Sequence, residues 1–191
     1  MATRRRGRAL ESAIFAAVWD ELRSVGYADL QMGRVADRAG TSKPVLYRRW
    51  PRRADLVVGA LRDRLPDARE APDTGNLRSD VIELLTSVTS GYAEIETATL
   101  WGLLAEAARE PDLLSSVRTL LSIVDEGGPM RVVLERAVVR GEIKAVPPAL
   151  VVSLPVDLVR NQLLLTGTVS AQRIAETVDT AFLPLLSRPA G

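Results

Sequence analysis

The sequence predicts an all-α protein, with a small N-terminal helical domain and a larger helical domain after it. Apolar residues recur at spacings of three and four along most of the chain, as in amphipathic helices. A strand would show a sustained alternation of apolar and polar residues between turn formers, and the sequence does not show this pattern. Glycine or proline follows most of the helical patterns, and 191 residues are enough to bury a hydrophobic core.

Four helices are predicted before residue 66. The first covers about residues 8–25 and is ended by Gly26. Its apolar stripe is Leu10, Ile14, Val18 and Leu22. Shorter patterns predict a helix from Met32 that ends at Gly40, then helices over residues 42–50 and 52–65, the last stopped by Pro66.

The polar segment 66–76 is rich in turn formers and marks the predicted boundary between the two domains, residues 1–65 and 66–191. Helical patterns continue after it. They cover residues 77–95 and 98–109, a stretch that starts after Pro111, and residues 129–140, 148–166 and 171–187.

The charge of the chain changes at the same place. Residues 1–65 carry fourteen Arg or Lys against seven Asp or Glu, whereas the remainder carries eleven against seventeen, although the net charge is only +1. A basic first third joined to an acidic body is typical of a nucleic-acid contact attached to a different functional part. The alternative is a chance clustering of surface arginines.

The composition argues against most enzyme classes. Cysteine and histidine are both absent, which excludes disulfides, thiolate nucleophiles, zinc–thiolate sites and a histidine base. The sequence shows no paired-carboxylate motif, glycine-rich phosphate loop or metal-spaced cluster. We therefore predict a protein that is not an enzyme and needs no cofactor or metal, while chemistry by carboxylates, serine or lysine stays open.

The sequence also indicates a cytoplasmic protein without a membrane span. Its most apolar stretch, VPPALVVSLPVDLV, contains three prolines and an aspartate. The basic N-terminus leads into a short apolar segment that contains acidic residues and lacks a cleavage pattern.

The stretch RVADRAGTSKPVLYRRW, residues 34–50, has the form of a helix-turn-helix motif. Gly40 can adopt the left-handed conformation that ends a helix, and Ser42 is placed to cap the next one. Pro44 is tolerated in the first turn, where amide groups have no helical partner. In such motifs the second helix enters the major groove of DNA.

Periodicity divides the second helix into two faces. Leu46 and Trp50 are apolar and four apart, so we expect them to face inward. The residues expected on or beside the outward face are Pro44, Val45, Tyr47 and Arg48. An ordinary solvated corner could carry the same residues.

Each outward residue suits a different part of DNA. Val45 suits a thymine methyl group, Lys43 and Arg48 suit guanine edges or phosphate, and the Tyr47 hydroxyl suits a phosphate oxygen. Further predicted phosphate contacts at the junction with the following helix are Arg49, Arg52 and Arg53.

The run GYADLQMGRVADRAGTSKPVLYRRWPRRADLVVGAL, with the helix before it, resembles the N-terminal domain of TetR/AcrR-type transcriptional repressors over about residues 10–62. Two positions depart from the family pattern. Gln31 stands where the family commonly has a capping Thr or Ser, although its amide could still donate to a phosphate. Arg53 replaces the usual lysine and keeps the charge.

The resemblance implies that the larger domain binds a ligand and forms a homodimer, with an RGEI turn before its last two helices. Apolar stripes on these two helices could pair with their copies as a four-helix bundle. The stripes are Leu150, Leu154 and Leu158, then Ile174, Val178, Phe182 and Leu185. The alternative is that they serve only the core of one chain.

An effector pocket is expected among the helices between residues 77 and 166, with apolar walls and a few polar groups. The candidate lining residues are Tyr92, Trp101, Met130, Arg160, Asn161 and Gln162. The aromatic residues could instead be core residues, and Arg160 could pair with Asp157 or across the dimer.

Together these features predict a homodimeric repressor of a palindromic DNA operator. A small-molecule effector would release it by a population shift, with the helix after the recognition helix as the lever. One alternative is a helical ligand carrier or enzyme with an incidental basic end. Another is a transcriptional activator of the same fold.

Overall fold

The computed structural model describes residues 2–65, 71–93 and 97–186, and only the backbone of residues 2–6, 92–93 and 121–127. The described residues form helices and no strand, so the all-α prediction is confirmed. The helices are α1 Ala2–Val25, α2 Met32–Arg38, α3 Lys43–Arg49, α4 Arg53–Asp63, α5 Leu77–Ala93, α6 Thr97–Ala107, α7 Pro111–Gly127, α8 Pro129–Val139, α9 Ala149–Thr166, α10 Ala171–Glu176 and α11 Leu183–Leu186.

Two helices differ from their predicted extent. α1 begins at Ala2 instead of residue 8, because Ala and Arg are good helix formers and continue the helix beyond its apolar stripe. The last predicted helix contains a π-helical turn, Thr177–Phe182, between α10 and α11. The hydroxyls of Thr177 and Thr180 donate to carbonyls four residues earlier, which competes with the regular backbone bonds.

The chain forms two compact units. The first contains residues 2–64 and 97–120, so α6 and the start of α7 pack with α1–α4 although they come later in the chain. The second contains residue 65 and the described parts of 71–93 and 121–186. The functional boundary after residue 65 stays a prediction.

The first unit has its core between α1, α2 and α4. The apolar stripe of α1 supplies fully buried Ile14 and Val18, and Val35 of α2 and Leu56 of α4 are fully buried too. The predicted amphipathic pattern therefore gives the correct inward face for these helices.

In the second unit, α5 contacts α8, α9, α10 and the π-helical turn. Ile174, Val178 and Phe182 are buried in this core, so three of the four residues in the stripe of the last helix pack inside one chain, and Leu185 is half-buried. The stripe of α9 differs, since Leu150 and Leu158 are exposed. Among the described residues, α9 alone has the length and apolar composition to cross a membrane, a property that core helices of soluble proteins share.

The RGEI turn, residues 140–143, follows α8 along the chain and contacts the start of α5. Gly141 has a positive φ of 77°, which ends α8, and the Glu142 carboxylate accepts the backbone amide of Leu77 at 2.7 Å. Arg140 binds buried Asp80 at 2.7 Å. Asp80 also accepts the backbone amide and the hydroxyl of Thr74, at 2.6 and 2.7 Å. This turn is thus a polar clasp within the second unit.

Burial would raise the pKa of the Asp80 carboxyl, but the two hydrogen bonds from Thr74 and the Arg140 guanidinium hold that pKa below its ordinary value of 3.8. A carboxyl with a lowered folded-state pKa stabilises the fold above its unfolded pKa, and this stabilisation is lost as pH falls through the folded value. We therefore expect acid below about pH 4 to weaken the second unit.

Asp80→Asn should lower the free energy of unfolding by about 1–3 kcal/mol at pH 7, because it leaves Arg140 without its buried partner. Thermal unfolding followed by circular dichroism at pH 7 and pH 3 measures this effect. The loss should be smaller at pH 3. Asp179→Asn removes a mostly exposed pair with Arg78 and serves as the control with a smaller effect. Equal losses in the two variants would contradict a special role for the clasp.

Candidate DNA-binding site

The recognition helix α3 is fixed by two apolar residues on its inner side. Leu46 is fully buried, and the Trp50 ring packs edge-on against Phe15 of α1 with 5.4 Å between ring centroids. Gly59 of α4 closes the same site. A Cβ atom at Gly59 would lie 2.9 Å from the Trp50 Nε1 atom, so only glycine allows α4 this close to the indole. The predicted inward face of α3 is confirmed.

The turn before α3 has the geometry of a Schellman motif. Gly40 has a φ of 64°, its amide donates to the Asp37 carbonyl at 3.2 Å, and the Thr41 amide donates to the Ala36 carbonyl at 2.9 Å. Pro44 lies in the first turn of α3, as predicted. These bonds satisfy the last carbonyls of α2 and set the direction of α3.

The predicted capping role of the Ser42 side chain is wrong. Ser42 occupies the position before α3 with an extended backbone, but its hydroxyl accepts no amide hydrogen bond. Its carbonyl accepts the amides of Val45 and Leu46 instead, at 3.0 and 3.3 Å. Gln31, before α2, is exposed and makes no side-chain cap either. The amide of Gln31 therefore stays available for another partner.

The outer side of α3 is polar and open. Tyr47 is 49% exposed, Lys43, Pro44 and Arg48 are exposed, and Val45 is half-buried. The Lys43 stem lies directly over Gly33 of α2, where any side chain would displace it. Among the side chains that the structure describes, neither Lys43 nor Arg48 forms an ion pair.

The predicted phosphate contacts next to α3 are paired within the protein. Arg49 binds Glu11 of α1 at 2.9 Å, and its guanidinium lies 5.0 Å from the centre of the Trp50 ring. Arg52 binds Asp55 at 2.6 Å and Asp112 at 3.0 Å. Both cations are thus held against acidic side chains of α1, α4 and α7.

Arg53 is the most enclosed of these arginines. It donates to the Ala28 carbonyl and to Glu110, both at 2.8 Å, and lies 4.2 Å from the centre of the Tyr27 ring. The Tyr27 hydroxyl donates to the same Glu110 carboxylate at 2.7 Å. Burial and this hydrogen bond raise the pKa of the Tyr27 phenol, so it remains a protonated donor.

Sequence reasoning missed a buried acid beneath the motif. Glu21 of α1 is 1% exposed, and one carboxylate oxygen accepts from Arg38 of α2 at 2.7 Å. Arg34 lies 4.0 Å from the other oxygen. Glu21 lies seven residues after Ile14 and therefore on the inward side of α1. An acidic residue at that position is the feature of the sequence that predicts a buried carboxylate. The pair ties α2 to α1.

The structure describes the side chains of five of the six candidate effector residues. Trp101 belongs to the first unit and is 48% exposed, whereas Met130, in the second, is buried in its core. Arg160 pairs with Asp157 along α9, as one alternative predicted, and Asn161 is exposed. The side chain of Tyr92 lies outside the described residues.

Gln162 lines a depression of about 510 Å³ at the turn between α9 and α10. The other residues around this depression are polar or charged: Thr166, Thr168, Ser170, Gln172, Arg173 and Glu176. This lining lacks the apolar walls expected of an effector pocket. The location of the pocket therefore stays a prediction.

Two family models match the chain. The model for bacterial regulatory proteins of the tetR family matches residues 14–60, which include α2, α3 and their turn, and the model for a tetracyclin repressor-like C-terminal domain matches residues 71–181. The chain belongs to the TetR family. It is therefore a helix-turn-helix transcriptional regulator. The relatives that it resembles are regulators and not enzymes.

Several relatives match this TetR-family regulator over almost its whole length. It is 32% identical to the DNA-binding transcriptional repressor TetR of Mycobacteroides abscessus, with 95% of this chain and 96% of that protein covered. An HTH-type transcriptional regulator of Mycobacterium tuberculosis is 30% identical over 95% of this chain and 90% of its own.

Solved structures show the same fold. The crystal structure of the TetR family transcription regulator SCO0332 has a TM-score of 0.66 and 27% identity, covering 88% of this chain and 94% of that one. A TetR-family regulator from Rhodococcus sp. also has a TM-score of 0.66, at 20% identity, covering 94% of this chain and 100% of that one.

Gly59→Ala should destabilise the first unit by about 1–3 kcal/mol, because its new methyl group meets the Trp50 indole and Phe15. Thermal unfolding followed by tryptophan fluorescence measures the change. The matched control is Gly102→Ala in α6, where a Cβ atom would meet nothing within 4 Å. The control should be neutral or stabilised by up to about 1 kcal/mol. A Gly59→Ala variant as stable as the control would contradict the packing argument.

Proposed function

We propose that this TetR-family regulator is a cytoplasmic repressor that binds a palindromic DNA operator as a homodimer and leaves it when a small molecule binds. The observation that carries the proposal is the division of α3 into two faces. Leu46 and Trp50 hold the helix rigidly, while Lys43, Tyr47 and Arg48 face solvent. The similarity to the DNA-binding transcriptional repressor of Mycobacteroides abscessus supports repression.

On DNA, the outer residues of α3, together with Gln31 before α2, would divide between bases and backbone. Val45 would contact a thymine methyl group, and Lys43 and Arg48 would reach guanine edges or phosphates. Tyr47 and Gln31 would donate to phosphate oxygens. Contacts to phosphate by Arg49, Arg52 and Arg53 require exchange of their present carboxylate partners.

The proposed dimer uses the exposed stripe of α9. Leu150 and Leu165 are 78% and 69% exposed, and Leu158 lies between them on the same side of the helix. Half-buried Leu154 continues the stripe, and exposed polar residues of α10 provide a rim. A two-fold dimer suits a palindromic operator, because its two recognition helices must meet successive major grooves roughly 34 Å apart.

Effector release needs two states of the dimer that differ in the spacing of their recognition helices. A small molecule that binds the non-DNA state more tightly by a few kcal/mol shifts the population toward it. We propose α4 as the lever, since its residues Ala54, Leu56 and Val57 are buried in the core of the first unit and only residues 50–52 separate it from α3.

Selection of bound duplexes from a random pool, over a series of salt concentrations, tests the DNA-binding proposal. We expect a palindromic sequence, with affinity that falls steeply as salt rises. The recovered operator upstream of a reporter gene then tests repression. Weak binding without any sequence preference at physiological salt would argue for a ligand carrier or an enzyme with an incidental basic end. A reporter that becomes more active would indicate an activator.

Two substitutions on α3 should affect this binding differently. Tyr47→Phe removes one phosphate donor and should weaken binding about 3- to 10-fold on all sequences alike. Val45→Ala should instead relax the preference at one base position of each half-site. Fluorescence anisotropy with the operator and single-base variants distinguishes the two effects. An unchanged base preference for Val45→Ala would remove this residue from the base contacts.

Leu158→Glu should weaken the dimer about 10- to 100-fold, because it places a charge in the proposed interface. Analytical ultracentrifugation over a concentration series measures the dissociation constant. The matched control is Val139→Glu, which changes an 89% exposed apolar residue of α8 outside the stripe. A monomeric wild-type protein, or equal effects of the two variants, would refute the α9 interface.

A further inference from the structure

Two carboxylates at the corner between α6 and α7 contact the arginines at the start of α4. Glu110 binds Arg53 at 2.8 Å, and Asp112, in the first turn of α7, binds Arg52 at 3.0 Å. All four residues belong to the first unit. The corner lies far along the chain from the helix-turn-helix motif, outside residues 14–60 that match the N-terminal family model.

These contacts use the hydrogen-bond donors that a phosphate would need. Arg52 donates through Nε and Nη2 to Asp55, and its Nη1 faces Asp112. Arg53 donates through Nη1 to the Ala28 carbonyl and through Nη2 to Glu110. A carboxylate and a phosphate bind the same guanidinium edges, so one anion must yield to the other or share the donors.

We propose that Glu110 and Asp112 lower the affinity of this regulator for DNA, because they compete with backbone phosphates for Arg53 and Arg52. The inference rests on the proposed function, since it requires both arginines to approach DNA. It identifies two determinants of DNA affinity in a part of the chain that lies outside the helix-turn-helix motif.

Asp55 has a different role from these two carboxylates. It accepts the backbone amide of Arg52 at 3.3 Å and the hydroxyl of Ser116 at 3.1 Å, and so belongs to the cap that starts α4. A change at Asp55 would disturb the helix itself. Substitutions at Glu110 and Asp112 are therefore the informative ones.

The test uses the full chain, with Glu110→Gln and Asp112→Asn made singly and together. Binding is measured by fluorescence anisotropy on the duplex recovered by selection and on a duplex that lacks its sequence, over a salt series. We expect Glu110→Gln to bind both duplexes about 3- to 10-fold more tightly near 0.1 M salt. Asp112→Asn should tighten binding by only about twofold, because the Asp112–Arg52 pair is more exposed than the Glu110–Arg53 pair.

The dependence on salt gives a second readout. Each arginine that gains a phosphate contact should steepen the slope of log affinity against log salt concentration by about 0.9. Glu106→Gln and Glu135→Gln change the net charge equally, but their carboxylates pair with Arg109 and Arg131. These controls should stay within about twofold of the wild type, because their carboxylates bind Arg109 and Arg131 instead of Arg52 or Arg53.

The gain of Glu110→Gln should disappear when Arg53→Ala is also present. A gain that persists without Arg53, or that the control variants share, would show a general charge effect and overturn the competition. Unchanged or weaker binding by a folded Glu110→Gln variant would overturn it as well. If circular dichroism shows that Glu110→Gln is unfolded, the same comparison is made on the second pair. The gain in affinity of Asp112→Asn should then disappear when Arg52→Ala is also present.

The wild-type protein separates this inference from the proposed function. A wild type that selects a palindrome, together with variants that do not differ from it, refutes the competition alone. A wild type that binds no duplex refutes the proposed function and this inference together.

Discussion

The packing of α3 through Leu46 and Trp50 is the constraint on which the DNA-binding site depends. A seven-residue helix has little stability by itself, so its orientation comes from tertiary contacts. Fully buried Leu46 and the contact of Trp50 with Phe15 and Gly59 provide them. These inner contacts fix the rotation of α3 about its own axis, and the outward residues therefore point away from the core.

Ion pairs around this core connect α2 and α3 to α1, and the start of α4 to the corner between α6 and α7. Glu21 holds Arg38, Glu11 holds Arg49, and Glu110 holds Arg53. The large positive charge of the N-terminal third is therefore partly compensated on the protein itself. What distinguishes Lys43 and Arg48 on the recognition helix is that, within the described side chains, they have no such partner.

Periodicity and turn chemistry sufficed to predict the helices, the left-handed Gly40 and the inward side of α3, because those depend on local sequence. They could not predict that the corner between α6 and α7 contacts the start of α4, since Glu110 meets Tyr27 and Arg53 only in the folded chain. The burial of Val178 and Phe182, in contrast to exposed Leu150, has the same origin. The two apolar stripes look alike in sequence, and only the tertiary packing of the chain determines which of them is buried.

The distribution of the indole rings has an optical consequence. The chain has three tryptophans, Trp19 of α1, Trp50 after α3 and Trp101 of α6, and all three lie in the first unit. Trp19 and Trp50 are buried, and Trp101 is half-exposed. Intrinsic emission excited at the red edge of the absorption band therefore reports on the DNA-binding unit alone, whereas circular dichroism reports on both. A comparison of the two signals during denaturation separates the melting of one unit from that of the other, without any added label.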